Sequence, residues 1–279
     1  MTPKEEEKAI RRILVAVDAS PHSLAALRAA VDLAERFDAE LTGVYVEDIN
    51  LLRMAELPFT REVHVYSSAQ PLDTRHLEQE LRVQARRARQ ALVQSARRSN
   101  LRTSFLVRRG VVSAELLKAA LEADLVILGK AGWSRRRQMG STTRILVSQS
   151  PSSTLILQQG TRLGMVMGVI YDGSEIANKA LVTAAGLMQG SNGYLTVIIL
   201  ADEIEQARRQ QRQVTRWLRE REMTATFRWL VGGVGDMLVS LLKSVNFGGL
   251  ILPVGMETLP TPVVNKLLDE VHMPVLLVR

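Results

Sequence analysis

Two stretches of this chain combine residue types that suit an anionic ligand. The first is Asp18-Ala19-Ser20, which directly follows the apolar run Ile13-Leu14-Val15-Ala16-Val17. The second is Gly129-Lys130-Ala131-Gly132; seven residues then separate Gly132 from Gly140-Ser141-Thr142. Glycines let backbone N–H groups approach an anion with no side chain between them. If Gly140-Ser141-Thr142 opens a helix, its free N–H donors and the helix dipole favour negative charge there. The hydroxyls of Ser141 and Thr142 add donors, and the Asp18 carboxylate suits a ribose hydroxyl or a Mg²⁺ ion held against phosphates. Taken singly, each feature serves as well for a tight turn, an N-cap or a strand end. Together they point to phosphate binding.

Other chemistries lack their residues. The chain has no cysteine, so disulfides, thiol catalysis and thiolate metal sites are excluded. Its four histidines, His22, His64, His76 and His272, show no zinc-ligand spacing. His22, beside the proposed pocket, reads as an exposed first-turn residue. There is no Gly-x4-Gly-Lys-Ser/Thr, no Gly-x-Gly-x-x-Gly after a strand and no Gly-x-Ser-x-Gly elbow. Nothing nominates a catalytic base, so no catalytic residue is assigned.

The elements that position these residues come in two copies. Ile13-Leu14-Val15-Ala16-Val17 ends at Asp18-Ala19-Ser20, and Val166-Met167-Gly168-Val169-Ile170 leads through Tyr171 into Asp172-Gly173-Ser174. Short, wholly apolar runs rich in branched residues read as strands buried on both faces of a parallel sheet. Ser20 can cap a following helix and Pro21 suits its first turn. Ser174 can do the same in the second copy. Each copy continues with a strand (41–46 and 194–200), a polar helix (75–99 and 202–222), a strand (103–107 and 226–231) and a helix (114–122 and 236–244). A fourth strand follows (125–128 and 250–252), then a helix and a fifth strand (154–157 and 275–278). Alternating strands and helices predict an α/β fold: two tandem open twisted parallel-sheet domains, each of about five strands with helices on both faces. The expected domains are 1–160 and 161–279. Residues 49–74 have no counterpart in the second copy, and Pro58, Pro71 and Ser67-Ser68 suggest a loop there.

The chain carries 36 Lys+Arg against 29 Asp+Glu. Residues 1–160 hold a net +6 of the +7 excess. Such a half suits an anionic ligand, nucleic acid or an acidic surface. The segment 75–98 contains Arg75, Arg82, Arg86, Arg87, Arg89, Arg97 and Arg98 but no aromatic residue. Base stacking is therefore unavailable, and a solvated basic face is the favoured reading over nucleic-acid binding. No apolar run approaches the roughly 18 residues needed to cross a bilayer. The start of the chain is charged rather than apolar, so no signal peptide and a cytoplasmic location are expected.

The sequence resembles the universal stress protein family over nearly its whole length. The likeness rests on the Val15-Ala16-Val17-Asp18-Ala19-Ser20 opening, the Tyr45-Val46 strand end, Gly129-x2-Gly132 with Gly140-Ser141, the closing Ser150-Pro151-Ser152-Ser153-Thr154-Leu155-Ile156-Leu157, and His272-Met273-Pro274-Val275 in the second copy. The family's ATP-binding members separate the corresponding glycines by nine residues rather than seven. The resemblance implies an adenine-nucleotide alpha hydrolase-like, Rossmann-like fold. It implies adenine held by backbone groups at Val46, ribose near Asp18, and phosphates on Gly132, Gly140, Ser141 and Thr142, with Ser20 and Gly129 also among the nucleotide-binding residues. ATP or AMP is the expected ligand, with Mg²⁺ via Asp18 and the phosphates. It also implies pairing through the fifth strands, within one chain or as a homodimer. The expected role is a cytosolic stress-response module binding adenine nucleotide. The alternatives are a slow ATPase or phosphotransferase, or a nucleotide-free scaffold using the basic helix. The second copy is expected to have lost its nucleotide site. Pro253, Pro260 and Pro262 lack N–H donors, and Glu257 adds negative charge.

Overall fold

A computed structural model describes residues 10–18, 20–56, 61–62, 70–71, 74–97, 99–131, 139–188, 193–232 and 235–279. In the first half, β1 (Arg12–Ala16) leads into α1 (Pro21–Phe37), β2 (Glu40–Asp48), α2 (Ile49–Ala55) and two short strands, β3 (Arg61–Glu62) and β4 (Gln70–Pro71). Then come α3 (Thr74–Ala96), β5 (Thr103–Gly110), α4 (Val112–Ala120), β6 (Leu125–Gly129), α5 (Ser141–Gln149) and β7 (Ser153–Leu157). The second half runs β8 (Val166–Tyr171), α6 (Glu175–Met188), β9 (Tyr194–Ala201), α7 (Ile204–Arg219), β10 (Ala225–Val231), α8 (Gly235–Ser244), β11 (Gly249–Pro253), α9 (Thr261–Glu270) and β12 (Val275–Val278).

Ten strands form one sheet in the order β10-β9-β8-β11-β12-β7-β6-β1-β2-β5. Each half shows the same internal order, and within this sheet every pairing inside a half is parallel; β3 and β4 pair antiparallel on their own. The halves meet where β12 pairs antiparallel with β7, in the register Val275↔Ile156, Leu276↔Leu155 and Leu277↔Thr154. The two expected sheets are thus a single continuous sheet. The cause lies in the fifth strands, which are buried along their length and leave no apolar edge to water.

Alternation along the strands sorts side chains to the two faces. Val15, Val17 and Tyr45 join the cluster beneath α1 and α3. Leu14, Val44, Val126 and Leu128 join the cluster beneath α4 and α5, with Val46 packed against it. Helix ends follow local chemistry. Ser20 caps α1 by accepting from the Ser23 N–H at 3.2 Å, with Pro21 as first helical residue.

The segment 49–74 is not simply a loop, because it opens with α2. Asp48 is extended, and its carboxylate accepts the Asn50 N–H at 2.9 Å. Leu52 and Ala55 then bury one side of the short helix.

Candidate functional site

The predicted residues gather at the carboxyl edge of the first half. Within the order β5-β2-β1-β6-β7, successive strands run outward in both directions from β1. The crevice between β1 and β6 is therefore the topological switch point, where ligands bind in open α/β sheets. Asp18 follows β1, Gly129 ends β6 and Val46 lies near the end of β2. Gly140 is the N-cap of α5, and Ser141 and Thr142 are its first residues. Gly132 lies outside the described residues, as do Arg135, Arg136 and Arg137.

The turn after β1 is built by Asp18. Its Oδ1 accepts the Ser20 N–H at 2.9 Å, which sets Ser20 to cap α1. Among the described residues, no other group donates to this carboxylate, and the second oxygen stays available. Ser20 is fully buried, and its side chain is committed to the cap. Gly129 serves packing: a Cβ there would lie 2.9 Å from the His22 backbone carbon, so only glycine lets the first turn of α1 sit on β6.

At α5 the geometry is open. Gly140 is extended, makes no side-chain capping bond and donates its own N–H to the Lys130 carbonyl at 2.9 Å. Thr143 turns inward and donates its hydroxyl to the Gly129 carbonyl at 2.9 Å. Ser141 is exposed and Thr142 half-buried. Among the described residues no side chain caps the first N–H groups of α5, and a helix N-terminus of this kind favours an anion.

Two residues play parts that sequence reasoning missed. Lys130 is buried, and its ammonium donates to the carbonyls of Asp269 at 3.0 Å and Val271 at 3.2 Å, in the second half. Burial lowers its pKa, with Asp269 opposing that shift. The Asp269 carboxylate accepts the Met139 N–H at 3.0 Å and meets Arg144 at 3.4 Å. The second half thereby buttresses both ends of the glycine loop. The only sequence signal was a lysine inside a glycine-rich turn, which reads as solvated. His22, read as exposed, is half-buried, and its Nδ1 accepts the Gln159 N–H at 3.1 Å. Burial lowers its pKa; Asp18 raises it and Lys130 lowers it further.

Beside Val46, Glu47 is buried and accepts from Arg109 Nε at 2.8 Å, while Arg109 also reaches Glu78 at 3.1 Å. The Tyr45 hydroxyl donates to Gln84 at 3.0 Å. Burial, with Glu47 and Asp18 nearby, pushes its pKa up to about 12. Val46 itself is half-buried.

The equivalent place in the second half carries side-chain contacts that differ from those in the first. Asp172 Oδ1 accepts the Ser174 N–H at 2.9 Å, as Asp18 does for Ser20, but Oδ2 accepts the Thr258 hydroxyl at 2.8 Å. Buried Gln210 donates to the Asp172 carbonyl and lies 3.1 Å from where a Cβ on Gly173 would stand. Gly173 has φ +85°, which glycine adopts without strain. Pro260 is the N-cap of α9 and Pro262 lies in its first turn, so two donors present at α5 are missing.

Among the described residues, no group of three His, Asp or Glu could hold a metal ion. No helix among them is long and apolar enough to cross a membrane.

The profile described as the universal stress protein family matches residues 9–158. A universal stress protein from Archaeoglobus fulgidus DSM 4304 superposes with TM-score 0.73 at 15% identity, covering 95% of this chain and 97% of that one. A chain from Pseudomonas aeruginosa UCBPP-PA14 bearing the same family designation superposes with TM-score 0.62 at 16% identity, covering 97% and 94%. At these identities the likeness speaks to the fold. No curated protein matches the chain.

Proposed function

Because the chain belongs to the universal stress protein family, we propose that its first half, residues 1–160, is a domain that binds one adenine nucleotide, ATP or AMP, and that residues 161–279 form a second domain that supports it without binding one. The observation that carries this reading is that α5, whose N-cap Gly140 has no capping side chain, follows β6 while Asp18, whose second oxygen takes no hydrogen bond among the described residues, follows β1, the two strands of the switch point. Phosphates would take the N–H groups of Ser141 and Thr142, with Gly132 and Gly140 leaving room for their approach. The ribose hydroxyls would donate to Asp18, and the adenine would rest against Val46. Any Mg²⁺ would be held between Asp18 and phosphate oxygens, since no described cluster could hold one alone. In the second half Thr258, Gln210 and two prolines occupy or disarm the same positions.

The role is that of a cytoplasmic regulatory module rather than an enzyme. Among the described residues no group is placed to act as a general base, and positioned proton transfer supplies about 10²–10⁴-fold in rate. Hydrolysis should therefore run far below the enzyme median of about 10 s⁻¹. The scaffold alternative draws on α3, where Arg82, Arg86, Arg87 and Arg89 are exposed.

Calorimetric titration with ATP and AMP tests the proposal. Wild type should bind about one nucleotide per chain. Asp18→Asn keeps an oxygen for the Ser20 N–H but loses the anionic acceptor, so it should fold and bind about tenfold or more weakly. Ser141→Glu places a carboxylate on the donors of α5; it should weaken binding while leaving helix stability equal or higher. Two equivalent sites, or no heat together with no nucleotide released from denatured protein, would refute the proposal.

A further inference from the structure

A second binding region lies in the other half of the molecule, between α6 and α7. In the first half, α1 packs directly against α3. The matching helices of the second half leave between them a half-open cavity of about 490 Å³. Chain position explains the difference. Counting from Asp18 and Asp172, Tyr171 stands where the first half has Val17, and Asn178 where it has Leu24. The Tyr171 hydroxyl donates to Asn178 Oδ1 at 2.9 Å, so a polar pair sits on the cavity floor where the first half is apolar. With its oxygen so used, the Asn178 amide has its NH₂ left to give.

The walls have two characters. Leu181, Val182 and Trp217 supply apolar surface. Arg209, Arg212 and Arg216 follow one another on one face of α7, at spacings that align them along the opening. All three are exposed, and none forms an ion pair among the described residues, whereas neighbouring Arg208 and Arg221 do. Trp217 is 8% exposed, and the Arg221 guanidinium lies over its ring at 4.0 Å. The one lining carboxylate, Glu220, reaches Arg221 at 4.0 Å. Three exposed guanidinium groups with no ion pair among the described residues thus outnumber that carboxylate beside an apolar wall.

We propose that the α6–α7 cavity binds a small soluble organic anion, with its carboxylate, sulfonate or phosphate held by Arg209, Arg212 and Arg216 and an aromatic body lying against Trp217, Leu181 and Val182. Its size falls within the ordinary range for small-molecule sites, about 300–1,000 Å³. Guanidinium groups are suited to planar anions through paired N–H donors, and they stack on aromatic faces. The site is separate from the cluster at Asp18 and does not depend on nucleotide binding there.

The probe is 1-anilinonaphthalene-8-sulfonate, an aromatic body bearing one anion, added to the full chain and followed by its fluorescence and by calorimetry. We expect one saturable site per chain that weakens with added salt. Arg212→Glu combined with Arg216→Glu alters exposed positions only and should weaken binding about tenfold or more. Val182→Trp fills the cavity from its rim and should weaken it comparably. The uncharged analogue N-phenyl-1-naphthylamine should bind at least tenfold more weakly than the anion. Adenosine, which has no anion for the arginines but keeps the groups proposed to bind near Asp18, should not displace the probe. Unchanged binding in the arginine variant, equal binding of the uncharged analogue, or no saturable site would overturn the proposal. So would displacement by adenosine, and so would arginine-dependent flotation with phosphatidylglycerol vesicles in place of soluble binding.

Discussion

Lys130 and His22 flank the crevice, and neither is the solvated residue that local sequence suggests. The ammonium of Lys130 is held by the Asp269 and Val271 carbonyls, and Gln158 also donates to the Val271 carbonyl at 2.9 Å. Lys130→Met keeps the apolar stem but leaves the Asp269 carbonyl unmet. It should cost about 1–3 kcal/mol in denaturant unfolding. If Lys130 acts through structure, saturating nucleotide affinity should change far less than stability does. His22 makes a pH-dependent contribution. Its Nδ1 accepts a hydrogen bond, so only the neutral ring fits, and its folded pKa lies below the ordinary value of 6.5. The unfolded state therefore takes up a proton first as pH falls. This contribution is complete above about pH 6.5 and is lost as pH falls through the lower, folded value. His22→Asn supplies an oxygen acceptor that does not titrate, so a plot of melting temperature against pH should flatten in that window. An identical slope in the variant would remove His22 as the cause. Both residues were opaque in sequence for one reason: their partners, Asp269 and Gln159, lie more than a hundred positions away.

At the scale of elements, strands and their ends were the most readable feature, since an apolar run stopping at Asp-x-Ser marks both the strand and the cap that follows. The switch point followed from strand order, and the positions of Asp18, Gly140 and Ser141 with it. Helix α2 was missed because prolines and serines later in 49–74 hid a short N-capped turn that Asp48 and Leu52 specify. The contacts that set the second half's first turn apart from its counterpart were half-legible. Its prolines stand in the sequence, but the Thr258 hydroxyl on Asp172 and the side chain of Gln210 over Gly173 are tertiary contacts. Gly129 shows how an element contact reads like a ligand motif. A Cβ there meets the backbone of His22 at 2.9 Å, so Gly129→Ala must lift the first turn of α1. That overpacking should cost about 1–3 kcal/mol. Because Asp18 and Ser20 sit on the same turn, nucleotide affinity should fall along with stability. A variant as stable as wild type would show that the turn yields freely.

For the whole molecule, the question is whether two similar halves behave as one body. The β7–β12 ladder runs through residues that are almost wholly buried, including Leu155, Ile156, Leu276 and Leu277. It is bracketed by polar links that also cross from half to half. Lys130 reaches Asp269 and Val271, Met139 and Arg144 reach Asp269, and the Arg279 guanidinium donates to the Val147 carbonyl. Separating the halves would expose the apolar ladder and strand these groups together, so neither half has a cheap way to open alone. Independent domains unfold in separate steps, whereas a shared core binds them into one transition. The full chain should therefore melt in a single calorimetric peak whose van't Hoff enthalpy matches the measured enthalpy. Adenine nucleotide bound only near Asp18 should raise that one transition as a whole. Weakening the brackets with Lys130→Met and Arg279→Met together should let the transition broaden or split, with nucleotide then shifting only the component that contains Asp18. Two resolved transitions in the wild-type chain, with nucleotide moving just one, would show that the continuous sheet does not couple its halves.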